Sequence, residues 1–308
     1  MPYVLLTASN PKRHSAKEGG IIRPVTTQAE TKVWSYPKSS TYLRTHDGEQ
    51  IYATERGTGR IAVVVVHGFT GGHRHGSHAK LLGWFEKFFR VIAIDQRGHG
   101  NSSGFCTLSH HEVMDVDAAV KWARELGAEK VVTIGFSLGA SSVLRHAALC
   151  NTTTRTKFDE GIVVEHKPDA VIIIGGVAQW WYRGSRKMRF LHALVKFRLG
   201  QIFLRRYAKV TIGPNTWPAE DAENRHLLQP LDPCDSASAI APTALLIIAG
   251  SEDDYFLDNH GHRLFEAATK NKNHNAEFWF EEGMGHAEAA TTQGLVERMS
   301  TWVVRTIN

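Results

Sequence analysis

Cysteine is scarce in this chain: there are three, Cys106, Cys150 and Cys234, odd in number and far apart. That pattern argues against a disulfide framework and against a zinc site, and fits a reduced cytoplasm. Long apolar runs are also missing, none approaching the ~20 residues that a membrane-spanning helix requires. Between Met1 and Asn10 only Val4, Leu5 and Leu6 form an apolar stretch, and no charged leader precedes them. A secretory signal is therefore not expected. Glycine (27), proline (10) and charged residues (22%) show no excess. Collagen-like, coiled-coil and wholly disordered classes are excluded accordingly. What remains is a chain of 308 residues, 42% of them hydrophobic. That suffices for one large core, or for one core with an inserted subdomain.

The net charge of +5 is unevenly placed. Between Val177 and Lys209 lie nine Lys or Arg residues and no Asp or Glu, which leaves 27 basic against 31 acidic residues elsewhere. A nucleic-acid partner is not expected from such a balance. The basic segment reads either as a solvated helix face or as a contact for an anionic lipid surface, a phosphate or a phosphopantetheine arm.

Residues 1–39 are polar and basic, with Lys12, Arg13, Lys17, Arg23, Lys32 and Lys38 against Glu18 and Glu30. They are read as a partly ordered arm. Two short strands around His46-Asp47-Gly48 predict a hairpin. Buried strands over Ile61–Val66, Arg90–Ile94, Lys130–Ile134, Ala170–Ile174, Thr243–Ala249 and Ala276–Glu281 then alternate with helices. The helices are predicted over Ser77–Phe89, Ser109–Leu126, Leu138–Leu149, Asn259–Lys270 and Glu288–Ile307. This alternation predicts an α/β fold, a mostly parallel sheet with helices on both faces. The stretch from Val177 to Pro242 is too long for a loop and carries helical spacing at Met188, Leu191, Leu194, Val195, Leu199, Ile202 and Phe203. It is read as a helical lid inserted after a central strand. Residues 40–176 and 243–308 are read as the core.

Gly135-Phe136-Ser137-Leu138-Gly139 follows a strand and opens a helix. Such a pattern arises by chance in roughly one chain of this length in ten, so its context carries the weight. A serine at a strand-to-helix turn is lifted clear of the sheet, and the helix amino terminus faces a developing oxyanion. His67-Gly68-Phe69-Thr70-Gly71-Gly72, after the first buried strand, supplies a second backbone donor. The amides of Phe69 and Leu138 are the expected oxyanion hole. A phosphate loop is excluded because the Lys-Ser/Thr pair is missing. His67 reads as a structural hydrogen-bonder.

A bare serine needs a base held by a carboxylate. Gly250-Ser251-Glu252-Asp253-Asp254 ends one strand in an acidic turn, and Gly285-His286 follows the last strand. The expected catalytic residues are Ser137, Asp253 and His286, with Asp254 second to Asp253.

Together with Asp95-Gln96-Arg97-Gly98-His99-Gly100-Asn101-Ser102, these motifs resemble the α/β-hydrolase superfamily from about Tyr42 to Asn308. The similarity is to its esterase, lysophospholipase and monoacylglycerol-lipase-like branch. It implies that Asp95, Arg97 and His99 form a structural turn beside the site. Phe136 stands where many lipases carry His, and the Gly-Gly-Ser-Trp-Gly elbow of proline iminopeptidases is absent. Serine at the elbow argues against haloalkane dehalogenase or epoxide hydrolase chemistry.

The expected activity is hydrolysis of small to medium acyl esters through an acyl-enzyme, without cofactor or metal. Thioester hydrolysis, acyl transfer, carbon–carbon cleavage and slow-turnover ligand reception stand as alternatives. Trp180, Trp181 and Tyr182 are expected either against substrate or as packing between lid and core. His73, His75 and His78 read as an entrance loop. Residues 151–167 have no assigned role.

Overall fold

Ile61-Ala62-Val63-Val64-Val65-Val66 offers water nothing to hydrate, and it forms a strand buried from Ala62 onward. Successive side chains alternate between two cores: Val63 and Val65 join one, Ala62, Val64 and Val66 the other. That two-faced burial is what a continuous β-branched run requires. The structure is a computed structural model, and it describes residues 39–73, 75–152, 156, 159–180, 182–213, 232–257, 259–270 and 274–307. The basic arm, Trp181 and part of the expected lid lie outside the described residues.

Eight strands form one sheet: β1 (Ser39–Arg44), β2 (Gln50–Arg56), β3 (Ile61–Val66), β4 (Arg90–Ile94), β5 (Lys130–Phe136), β6 (Ala170–Ile174), β7 (Ala244–Gly250) and β8 (Ala276–Glu281). Their spatial order is β1-β2-β4-β3-β5-β6-β7-β8. The β1–β2 hairpin pairs antiparallel, as does β2 with β4, and all other neighbours run parallel. One face is covered by α2 (Glu112–Glu125), α3 (Leu138–Asn151), α6 (Pro233–Ser238) and α7 (His260–Lys270). The other carries α1 (Gly76–Phe85) and α9 (Gln293–Ile307), which bury Leu81, Leu82, Phe85, Met299 and Trp302.

Three helices depart from the predicted bounds by more than two residues or are split, each for a local reason. α1 stops at Phe85, because Glu86 to Phe89 turn the chain into β4. α2 starts at Glu112, because Leu108 and Ser109 take left-handed backbone (φ 53° and 69°). The Glu112 carboxylate there accepts the Thr107 N–H at 2.6 Å. The last helix is split into a short α8 (Ala287–Ala290) and α9, with the Thr292 hydroxyl accepting the Leu295 N–H at 3.2 Å.

Between β6 and β7 the chain forms α4 (Arg186–Lys196) and α5 (Arg198–Phe203), which continues as a wider turn over Leu204–Ala208. Ser185 caps α4 by accepting the Met188 N–H at 3.0 Å. Near the base, the Trp180 N–H donates to Asp232 at 2.9 Å. Ala237 and Ile240 pack in the sheet core, so α6 packs with the core although the sequence reading put it in the insertion. Asp117 staples the segment before β6 by accepting the Glu165 and His166 N–H groups, each at 2.8 Å. Among the described residues, no helix is long and apolar enough to cross a membrane.

Candidate active site

Every group of the site stands at the carboxyl end of a parallel strand, where an open α/β sheet presents its loops. Ser137 joins β5 to α3 with φ 49° and ψ −111°, outside the regions L-residues prefer. The small neighbours explain how this is held. A Cβ on Gly135 would strike the backbone of Gly139, and one on Gly139 would strike the carbonyls of Val66 and His67. Strand and helix therefore meet at backbone contact, and the Ser137 side chain projects into the cavity.

The Ser137 hydroxyl donates to His286 Nε2 at 2.9 Å, and His286 Nδ1 donates to Asp253 Oδ2 at 2.7 Å. The other Asp253 oxygen accepts the N–H groups of Tyr255 (2.9 Å) and Phe256 (3.1 Å). Tyr255 stacks on the imidazole at 4.4 Å and Phe256 meets it edge-on at 5.2 Å, which fixes the ring plane. Asp254 instead pairs with Lys187 of α4 at 2.5 Å. The two adjacent carboxylates are thus separated in role by direction alone.

Phe69 and Leu138 both line the cavity beside Ser137. The peptide that carries the Phe69 N–H is fixed at its other end, where His67 Nδ1 donates to the Gly68 carbonyl at 2.7 Å. His67 Nε2 accepts the Gln96 N–H at 3.0 Å, so the ring is neutral with its proton on Nδ1. Burial, reinforced by His99, pushes the His67 pKa down to about 3, in keeping with that neutral state. His67 is structural, as its position suggested. His99 sits between the carbonyls of Arg97 (3.0 Å) and Phe69 (2.5 Å), while Arg97 is held by Asp115 and Asp47. Asp95 takes the His73 N–H at 2.7 Å and its ring Nδ1 at 2.5 Å. The whole turn braces the site and contributes no group to the cavity wall.

Two participants were not read from the sequence. Glu288, two residues beyond His286, accepts the Gly68 N–H at 2.9 Å and lies 3.8 Å from His78. Burial raises its pKa. Gly175, at the end of β6 with φ 60°, faces the His286 ring, where a Cβ would come within 3.3 Å. The signal for both is proximity to a motif: Glu288 follows Gly285-His286, and Gly175-Gly176 closes a buried strand.

The cavity encloses about 630 Å³. Its wall is mainly apolar, with Leu108, Val177, Met188, Leu191, Val195 and Phe256. Trp180 belongs to it, whereas Trp181 lies outside the described residues. Tyr182 departs from a substrate-facing role: its hydroxyl accepts the Leu257 N–H at 3.1 Å and its ring meets His260 at 4.3 Å, packing insertion on core. Of the entrance histidines, His73 is tied to Asp95, and His78 is buried with its pKa lowered by burial to about 4. Asp117, His146 and Cys150 form the one His/Cys/Asp group among the described residues whose ligand-type atoms lie within 4.8 Å. Asp117 there is already saturated by donors from His146, His166 and the backbone.

Comparison with known proteins agrees with this architecture. A proline iminopeptidase of Neisseria gonorrhoeae is 32% identical over 114 residues, 36% of this chain and 36% of that protein. A non-heme haloperoxidase of Rhodococcus erythropolis is 34% identical over 110 residues, 35% of this chain and 38% of that one. The chain thus aligns with little more than a third of each relative. An esterase of Pyrococcus furiosus superposes with a TM-score of 0.65 at 17% identity, covering 89% of this chain and 93% of that one. The family model described as "Alpha/beta hydrolase family" matches residues 63–297, which takes in the sheet from β3 onward, the elbow, the acidic turn and His286. On that match, and with this strand order, the chain belongs to the alpha/beta hydrolase family.

Proposed function

We propose that the protein is a serine hydrolase that cleaves carboxylic esters of small to medium acyl chains through an acyl-Ser137 intermediate. The observation that carries this reading is the hydrogen-bonded series from Ser137 through His286 to Asp253, with the serine on a strained elbow. His286 removes the Ser137 proton as the oxygen attacks the ester carbonyl, and Asp253 stabilises the imidazolium. The oxyanion forms against the amides of Phe69 and Leu138, a donor pair worth several kcal/mol at about 3 kcal/mol each. His286 then protonates the departing alcohol, and water, activated by the same ring, releases the acid.

The apolar wall suits an acyl chain, and Trp180 with the α4 side chains Met188, Leu191 and Val195 closes it from above as a lid. The test is hydrolysis of p-nitrophenyl esters from acetate to palmitate. We expect a chain-length optimum, and a loss on the order of 10⁴-fold in Ser137→Ala. Absence of turnover by folded wild type would shift the reading to a thioester or acyl-transfer reaction on the same groups. Activity retained by Ser137→Ala would remove the serine mechanism altogether.

A further inference from the structure

The insertion between β6 and β7 has two unlike surfaces. Toward the cavity, α4 presents Met188, Leu191 and Val195. On the outside, six large apolar side chains among the described residues stay in solvent: Phe190 (64% exposed), Phe197 (61%), Leu199 (81%), Ile202 (56%), Phe203 (49%) and Tyr207 (71%). Leu199, Ile202, Phe203 and Tyr207 recur at helical spacing and share one stripe of α5 and its continuation. Arg198 and Arg205 flank that stripe, and Arg206 lies within it. All nine basic residues between Val177 and Lys209 are exposed, and the segment contains no carboxylate.

Stray surface leucines need no explanation, but a continuous apolar stripe set among cations does. A nucleic acid would meet the charges and leave the stripe wet. A second copy docked face to face would bring two sets of cations together, Arg198, Arg205 and Arg206 among them. An apolar groove on another protein would desolvate those cations without counter-charge. An anionic lipid surface satisfies both components, with apolar side chains at the headgroup–acyl boundary and Lys/Arg among the phosphates.

We propose that the outer face of α4, α5 and the turn through Ala208 seats the protein on an anionic lipid bilayer. Resting on the ester-hydrolase reading, this places the cavity on the other side of the same helix from the bilayer, so the ester it receives is one that partitions into lipid. Binding itself requires no chemistry and is measured independently of it.

The experiment uses the full-length Ser137→Ala protein in co-sedimentation with vesicles of phosphatidylcholine, alone or with phosphatidylserine. Binding is expected only with phosphatidylserine, and it should weaken as salt rises. Each basic residue at such a surface is worth about fivefold in partitioning, so Arg198→Gln/Arg205→Gln/Arg206→Gln should lower it on the order of 100-fold. Leu199→Ser/Phe203→Ser should also release the protein. In an otherwise wild-type background, both variants should keep the native circular dichroism and the hydrolysis of a short, water-soluble ester.

Several results would overturn the proposal. These are no binding, equal binding to neutral vesicles, or binding that both lid variants retain while Lys12→Gln/Arg13→Gln/Lys17→Gln abolishes it. A concentration-dependent dimer that Leu199→Ser/Phe203→Ser dissociates would also overturn it and make the face a protein interface. Membrane binding without esterase activity would defeat the ester-hydrolase reading and leave the docking face intact.

Discussion

The least conspicuous polar contact of the site is the one from Glu288 to the Gly68 N–H. Gly68 is the residue whose carbonyl end is pinned by His67, so Glu288 and His67 hold the two sides of the residue preceding the Phe69 donor. Removing a hydrogen bond of this kind costs about 1–2 kcal/mol, and on the proposed function the loss falls on the placement of the Phe69 N–H as an oxyanion donor. Glu288→Ala should therefore lower kcat about tenfold with little change in KM. Glu288→Gln keeps an acceptor oxygen and should recover most of the rate. Equal losses in both variants would mean that the carboxylate charge, and not the acceptor, is what matters. Asp253→Asn and Asp254→Asn form a second pair of expectations. The first should cost on the order of 10⁴-fold in kcat, by breaking the hold on the His286 tautomer. The second should leave kcat within a few-fold, because Asp254 meets Lys187 at the surface. The meeting of Ser137, His286 and Asp253 was readable because each follows a strand in a short motif of restricted residue types. Glu288 and Gly175 were not, because their roles depend on partners brought in by the fold: Gly68, 220 residues earlier in the chain, and the His286 ring.

At the scale of elements, strands were easier to read than helix ends. A run such as Ile61–Val66 is specified by burial on both faces, which every residue in it reports. A helix end is specified by one cap or one backbone angle, as at Ser109 or Thr292, and apolar periodicity runs straight through it. Tyr182 was ambiguous for a similar reason, since an aromatic after a strand packs equally well on substrate or on core. The elbow offers a test of how closely two elements must meet. Gly139 and Gly294 are each the second residue of a helix, α3 and α9. A Cβ on Gly139 runs into the backbone of β3, whereas a Cβ on Gly294 meets nothing within 4 Å. Gly294→Ala should raise stability by about 0.5 kcal/mol, through the lower entropy of the unfolded chain and better helix propensity. Gly139→Ala should cost about 3 kcal/mol or more and displace Ser137, because backbone cannot yield as a side chain does. Urea midpoints of the two variants would compare them directly. Equal, small effects would contradict the close approach of β5, α3 and β3.

The whole molecule is tied across its first strands by charge as well as by apolar burial. Arg97, in the loop after β4, donates to Asp115 of α2 at 2.8 Å and to Asp47 of the β1–β2 hairpin at 2.6 Å. Asp95 in the same loop gathers His73 and the Asn101 N–H at 3.0 Å. Burial opposes the charge on both Asp47 and Asp95, and their partners outweigh it. His111 and Arg97 hold the Asp47 carboxyl well below the usual carboxylate range. Hydrogen bonds from the His73 ring and from the N–H groups of His73 and Asn101 hold the Asp95 carboxyl below its ordinary range. A carboxylate whose folded pKa is depressed adds stability above its unfolded pKa, and that stability is lost as pH falls toward the folded value. For buried Asp95 the contribution is present near neutrality and is lost as pH falls below about 4 toward the lowered folded value. The protein should accordingly lose its hairpin, the His73 loop and the turn at Phe69 together on acidification, because all three are tied to the loop from Asp95 to His99. The measurement is a series of urea midpoints from pH 6 to pH 3 for wild type and Asp95→Asn. Wild type should weaken steeply below about pH 4, while the variant, less stable at pH 6, should show a shallower decline. Parallel curves for the two proteins would mean that Asp95 does not carry the acid sensitivity, and would move it to Asp47 and its partners Arg97 and His111.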